Sequence, residues 1–367
     1  MSKKLEQTEG RFKLLGNIKK FAEDKNIRSA EDNRWSSINL QIDTGDGNSP
    51  SVSVMGFKPD AKREVTLFKA QKGKETQRVK VKATEVQQAI KKYTLKDGWQ
   101  VGGGVTIRTP KLDAEGKVVE KDGKTVYNEV SLTSNLAVTQ LKNLLNKRFN
   151  REDAQPVGVS VSGDVSFYQK DADSEVRVNY NLKRITFLEN PFTEEQMKEK
   201  PVHVFATSGV FDSSMELEDG RVAVNLRHID FKEQATTGTY VVDANHEDER
   251  VRKIANTLLN SVKFGALIKI EGLIINKPNI VSAQPVSEVE EGEEEFDFAE
   301  MFGDFSDEKS DFERTTYDGY ISELQIKRVL EFKRDVYTED DFMPPELEEE
   351  DLFGDSDDDD DDDLFGE

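Results

Sequence analysis

Trp35, Phe57 and Phe68 are the residues whose type and spacing point most directly to a chemistry. Each lies in a stretch where apolar and polar residues alternate. Each falls on the parity opposite the aliphatic sets Ile38, Leu40 and Ile42, Val52 and Val54, and Val65 and Leu67. Strand side chains alternate strictly between faces, so the three rings are expected on one outer face of three neighbouring strands. Arg78, Lys80 and Lys82 alternate with Val79 and Val81 and turn three cations outward. Rings interleaved with cations hold single-stranded nucleic acid without reading sequence, because every base has a face to stack and every nucleotide a phosphate to pair. Lys58, Lys69, Lys72 and Lys74 flank these strands and extend the cationic set. Further on, Phe205 with His203, Tyr168, Arg177 with Lys183, and Arg227 also sit opposite apolar sets, with fewer cations behind them. The competing expectation is that a helix or a second unit covers the rings, although exposed aromatic patches are uncommon unless functional.

Signals for catalysis are poor. His203, His228 and His246 are the 3 histidines and are too scattered for a metal site, and the absence of cysteine removes thiolate ligands and disulfides. Gly102-Gly103-Gly104 lacks the Lys-Ser/Thr of a phosphate loop. Asp43-Thr44-Gly45 mimics an aspartic-protease triplet, but that chemistry needs two carboxylates sharing a proton and no second copy appears. No enzymatic activity, cofactor or metal is expected. No apolar run approaches the roughly 20 residues that span a bilayer, and Met1-Ser2-Lys3-Lys4 opens no apolar signal region, so a cytoplasmic protein is expected.

The elements that must position these residues are mostly strands. Leu14, Leu15, Ile18 and Phe21 predict a short helix over 11–22. Strands follow at 35–43, 51–57 and 64–68, then a basic strand at 78–82. Thr84 and Gln87 form a capping box for a helix carrying Val86, Ala89, Ile90 and Tyr93. Strands at 99–107 and 126–132 and a helix at 136–149 close the unit. Three strands, a helix and two strands is the order of an oligonucleotide-binding (OB) barrel. After Pro156 a second set of strands leads to a helix with Val251, Ile254, Ala255, Leu258, Leu259 and Val262 on one face, then two more strands. The expected fold is mainly β with a few helices, an α+β chain of two OB-like barrels at 1–155 and 156–285 and an acidic tail at 286–367.

Charge divides the same way. From Val286 to the end there are 34 acidic and 6 basic residues, against a net charge of −22 for the whole chain. Residues 1–100 hold 21 basic against 13 acidic residues, so the positive field is concentrated where the rings lie. Carboxylate repulsion keeps the tail extended and largely disordered. Within it a motif recurs as Met301-Phe302-Gly303-Asp304, Leu352-Phe353-Gly354-Asp355 and Leu364-Phe365-Gly366-Glu367. A tail that only solubilises has no use for such motifs, so Leu352, Phe353, Leu364 and Phe365 are expected to dock a protein partner. One island, Tyr317–Asp335, is too apolar and basic for a linker and is expected to form a short ordered element on the body.

Barrels followed by Asp361-Asp362-Asp363-Leu364-Phe365 resemble the single-stranded DNA-binding proteins of bacteria and their phages. The resemblance implies a tail that recruits replication, recombination and repair proteins and competes with DNA for the basic groove. If phage-encoded, the protein would act in the host bacterial cytoplasm. The chain departs from that family in ending Gly366-Glu367 where the family commonly ends on Phe, and its length and acidic insert look more like a phage form. The competing class is an acidic interaction protein or DNA mimic that does not bind DNA. Such a mimic gains nothing from a strand carrying Arg78, Lys80 and Lys82.

Overall fold

The structure is a computed structural model that describes residues 4–32, 34–58, 62–71, 74–86, 88–89, 99–151, 153–169, 174, 176–199, 201–282 and 315–343. Within these the chain is mainly β. The strands are β1 (Gly10–Ile18), β2 (Ile27–Ser29), β3 (Trp35–Gln41), β4 (Ser51–Phe57), β5 (Glu64–Gln71), β6 (Lys74–Lys82), β7 (Trp99–Val101), β8 (Val105–Pro110), β9 (Glu120–Lys121), β10 (Lys124–Thr125) and β11 (Tyr127–Leu132). They continue as β12 (Val157–Tyr168), β13 (Arg177–Phe187), β14 (His203–Glu216), β15 (Arg221–Ile229), β16 (Ala235–Asp243), β17 (Leu267–Ser282) and β18 (Thr315–Lys333). Helices span Glu23–Asn26, Ser134–Phe149, Glu194–Glu199 and Glu249–Asn260.

Strand pairing closes two circuits. In the first, β1 pairs with β12, β12 with β13, β13 in parallel with β4, and β4 with β3. An antiparallel bridge between Asn17 and Asp43 returns to β1. Gly16 makes that closure possible: a Cβ there would stand 2.0 Å from the Asp43 carbonyl oxygen, a distance only a residue without a Cβ escapes. In the second circuit β14 pairs with β15, β15 with β16, β16 in parallel with β18, β18 with β17, and β17 with β14. In both circuits the helix lies in sequence between the third and fourth strands: Ser134–Phe149 between β4 and β12, Glu249–Asn260 between β16 and β17. The circuits join where β1 pairs with β14, with Phe12 opposite Phe205. Their apolar residues form one continuous core.

Several expectations change. Residues 10–18 form a strand and not a helix, because Phe12, Leu14 and Ile18 alternate into the core while β1 is shared between the two circuits. Strand pairing crosses the expected division at 155/156, since β12 and β13 pair with β1 and β4. The expected strand at 126–132 and the end of the one at 99–107 stay in the main sheet as β11 and β8, β8 pairing with β11 and in parallel with β13. The strands at 64–68, 78–82 and the start of 99–107 instead form a separate sheet of order β6-β5-β7. Its inward residues Leu67, Val86 and Val101 make a small core of their own. Ala83–Glu85 is a 3₁₀ turn, residues 86, 88 and 89 are helical as expected, and 87 and 90–93 of the helix expected at 84–93 lie outside the described residues. In the stretch expected to be tail, the Tyr317–Asp335 island lies almost wholly in β18, antiparallel to β17 along its length. Tyr337 and Phe342 then pack against Leu5, Val210 and Ile229.

Candidate nucleic-acid interface

Trp35 and Phe57 are direct register partners on β3 and β4. Their parity places them outward, as expected: Phe57 is 56% exposed, Met55 beside it is 54% exposed, and Trp35 is half-buried. Phe68 does not join them on an adjacent strand. It sits on β5 of the separate sheet, opposite Arg78 on β6. Lys80 lies opposite Thr66 and Lys82 opposite Glu64, so all three cations share a face with Phe68 while Val65, Leu67, Val79 and Val81 take the other. Lys80 approaches Glu64 at 3.8 Å, and Arg78 and Lys82 have no ion pair among the described residues.

The remaining expected residues scatter. Lys58 is exposed directly after β4, and Lys69 is half-buried on the face of Leu67, away from Arg78. Lys74 contributes its backbone to β6, while its side chain, Lys72 and the partner residues Leu352, Phe353, Leu364 and Phe365 lie outside the described residues. Arg177 is exposed opposite Tyr168 at the end of the β12–β13 hairpin, and Lys183 pairs with Asp164 at 3.7 Å. Phe205 is a correction: it is 1% exposed, its ring 5.7 Å from that of Tyr240, because β14 lies between β1 and β17 and turns this position into the shared core. Arg227 is held between Phe264 and Phe342 at 4.8 and 4.9 Å and ion-paired to Asp212 at 2.7 Å, which fixes it in the structure.

Three grooves lie side by side across these residues. One of about 700 Å³ lies between the two circuits, framed by Met55, Phe167, His228 and Phe231. A second, of about 540 Å³, lies under the separate sheet, with Phe68 and Gln100 on one wall and Arg11 and Arg184 on the other. A third, of about 720 Å³, covers Phe68, Arg78 and Lys80. The first two share Arg11, Asp164 and Lys183, and the last two share Phe68. Arg11, Arg184, Met55 and Phe231 were not singled out from sequence. Arg11 was legible as the odd residue of a Phe12/Leu14 alternation, had 10–18 been read as a strand. Arg184 was not, because a register shift at Ser162/Gly163 in the β12–β13 pair breaks the parity on which such a reading depends.

The first groove is lined by a buried aromatic group. The His228 ring stacks on Phe167 at 4.1 Å, and its Nε2 meets the Tyr240 hydroxyl at 2.8 Å. Burial pushes the His228 pKa down to about 4 and that of the Tyr240 phenol well up. The Asp43-Thr44-Gly45 triplet is structural: Asp43 pairs with Lys19 at 2.7 Å and accepts a hydrogen bond from the Gly45 amide. Asn48, in the same loop, donates to Thr44 Oγ1 and to the Ile274 carbonyl on β17. Among the described residues no cluster of three or more His, Asp or Glu is placed to hold a metal ion, and no helix is long and apolar enough to cross a membrane.

No curated protein sequence matches the chain. A family model described as YorF matches residues 140–356, more than half of its length. Among solved structures, a deletion mutant of the single-stranded DNA binding protein from Thermus aquaticus aligns at 10% identity with a TM-score of 0.36, over 93% of this chain and 98% of that one. The wild-type protein from the same organism aligns at 9% identity with a TM-score of 0.34, over 90% and 94%. Likenesses this distant leave the chemistry of the site to be read from its own residues.

Proposed function

This chain belongs to the YorF family, and we propose that it binds single-stranded DNA with little regard to sequence, protecting it in replication, recombination and repair. The observation that carries this reading is the groove in which Phe68 lies beside Arg78 and Lys80. The outward Trp35–Phe57 pair adds a second ring platform on the neighbouring circuit. Such a surface suits stacked bases with phosphates alongside. Each circuit is read as an OB-like barrel, five strands with a helix between the third and fourth, an architecture that commonly takes oligonucleotides. The acidic C-terminal stretch is read as a competitor for the same cations and, through Phe353 and Phe365, as a recruiter of partner proteins. The competing reading, an acidic decoy without DNA binding, leaves the exposed Arg78 and Lys82 without a role.

Titration with oligo-dT followed by tryptophan fluorescence tests the proposal. Binding is expected to weaken steeply as salt rises, because cation–phosphate contacts release counterions. Phe57→Ala is expected to weaken binding by about 1–3 kcal/mol while the protein stays folded. If neither the full chain nor a variant truncated after Met343 binds oligo-dT at low salt, the proposal is wrong.

A further inference from the structure

We propose that one nucleic-acid strand is shared by both circuits, crossing the groove between them so that Phe231 of the second circuit stacks on a base. This rests on the single-strand reading above and adds to it the path of the strand and a binding residue outside the first circuit. Phe231 is 75% exposed, more than any other large apolar side chain among the described residues, and it stands on the rim of the groove that faces Met55.

The ring is not on a loose tip. The Asp230 carboxylate accepts hydrogen bonds from the amides of Lys232 and Gln234 at 2.8 and 2.9 Å, closing a tight turn around it. The N-terminal segment then braces that turn: the Thr8 amide donates to the Ile229 carbonyl at 2.9 Å, and the Ile229 amide donates to Thr8 Oγ1 at 3.0 Å. These bonds fix the backbone that carries the ring, so less chain freedom is left to lose when a base stacks on it. Lys232, 5.8 Å from the ring, supplies a cation at the same rim.

The charges of this groove say which part of a nucleotide enters it. Arg11 is paired with Glu9 at 3.2 Å and Lys183 with Asp164 at 3.7 Å, and Asp230 stands at the rim with Lys232, so positive and negative groups are equal in number along the groove. Phosphates gain little there, whereas bases lose nothing. Arg78 and Lys82, which have no ion pair among the described residues, stand on the separate sheet, and Arg184, likewise without one, lies on the groove that leads to it. The strand therefore lays its phosphates along β6 and its bases toward Met55 and Phe231.

The full chain with Phe231→Ala is titrated with an oligo-dT of about 8 nucleotides, within the footprint of one barrel, and with one of about 30, long enough for two. The variant is expected to bind the long oligonucleotide about tenfold more weakly and the short one as wild type does. That loss is expected to be equal at low and high salt, whereas the loss from Arg78→Ala with Lys80→Ala shrinks as salt rises. A Phe231→Trp variant is expected to gain a fluorescence signal that the long oligonucleotide quenches and the short one does not. Wild-type affinity of Phe231→Ala for the long oligonucleotide, with no quenching in Phe231→Trp, overturns the inference and leaves single-strand binding standing. A change in sedimentation with Phe231→Ala in the absence of DNA assigns the ring to a contact between copies and also overturns it. If wild type binds neither oligonucleotide, the single-strand reading itself fails and this inference with it.

Discussion

His228 lies where the two circuits meet, its ring stacked on Phe167 from β12 and bonded to Tyr240 from β16. Its pKa falls from an ordinary 6.5 to about 4 because burial penalises the imidazolium. In the unfolded chain the ring takes up a proton near the ordinary value, while the folded chain resists until the lower one. Between those two values only unfolding gains the proton, so the fold loses stability as pH falls through that window and holds it in full above. Burial lowers His203 in the same direction. Urea melts at about pH 7 and about pH 5 are expected to show wild type losing more stability on acidification than His228→Gln, which keeps an acceptor for Tyr240 and does not titrate. Equal losses in the two proteins would mean that His228 is not held neutral by the fold.

At the scale of elements, β1 does the most to organise the chain, since it pairs with β12 in one circuit and β14 across to the other. Its closure onto the segment after β3 depends on the contact between Gly16 and the Asp43 carbonyl. Gly16→Ala forces the two backbones apart, at an expected cost of about 1–3 kcal/mol. A thermal melt checks this, and an unchanged midpoint would show that the Asn17–Asp43 bridge contributes nothing to closing the circuit. The separate β6-β5-β7 sheet makes the opposite case. Its small core of Leu67, Val86 and Val101 is distinct from the main one, so substitutions on its outer face at Arg78 or Lys80 are expected to leave the circuits folded.

At the scale of the molecule, charge is split between a basic body and an acidic end. The last 82 residues carry 34 of the 73 acidic residues of the chain. On the function proposed above, the acidic end competes for the cationic face as a tethered ligand, whose effective concentration is in the millimolar range for a short flexible linker. Deleting Asp351–Glu367 is therefore expected to tighten oligo-dT binding, most at low salt where screening is weakest. Replacing only Phe353 and Phe365 by Ala is expected to abolish partner capture and leave DNA affinity nearly unchanged, because the charge remains. Weaker DNA binding after the deletion would count against competition between tail and DNA.

Periodicity within single strands was readable in the sequence because it is local. The alternations at Ile38–Ile42, Val52–Val54 and Arg78–Lys82 set which side chains point outward whatever the strands pair with. The helix with Val251, Ala255 and Leu258 inward, and the ordering of the apolar island now seen as β18, were readable for the same reason. Partnership was not. Nothing within Glu64–Gln71 says that it pairs outside the first circuit, nor within Val157–Tyr168 that it completes that circuit. Strand pairing is a contact between segments far apart in sequence, and its energy resides in neither segment alone. Burial of a ring follows pairing. Phe57 and Phe205 are the same residue on similar strands, but only the tertiary structure lays β14 between β1 and β17 and so closes Phe205 into the core, while β4 leaves Phe57 open to solvent.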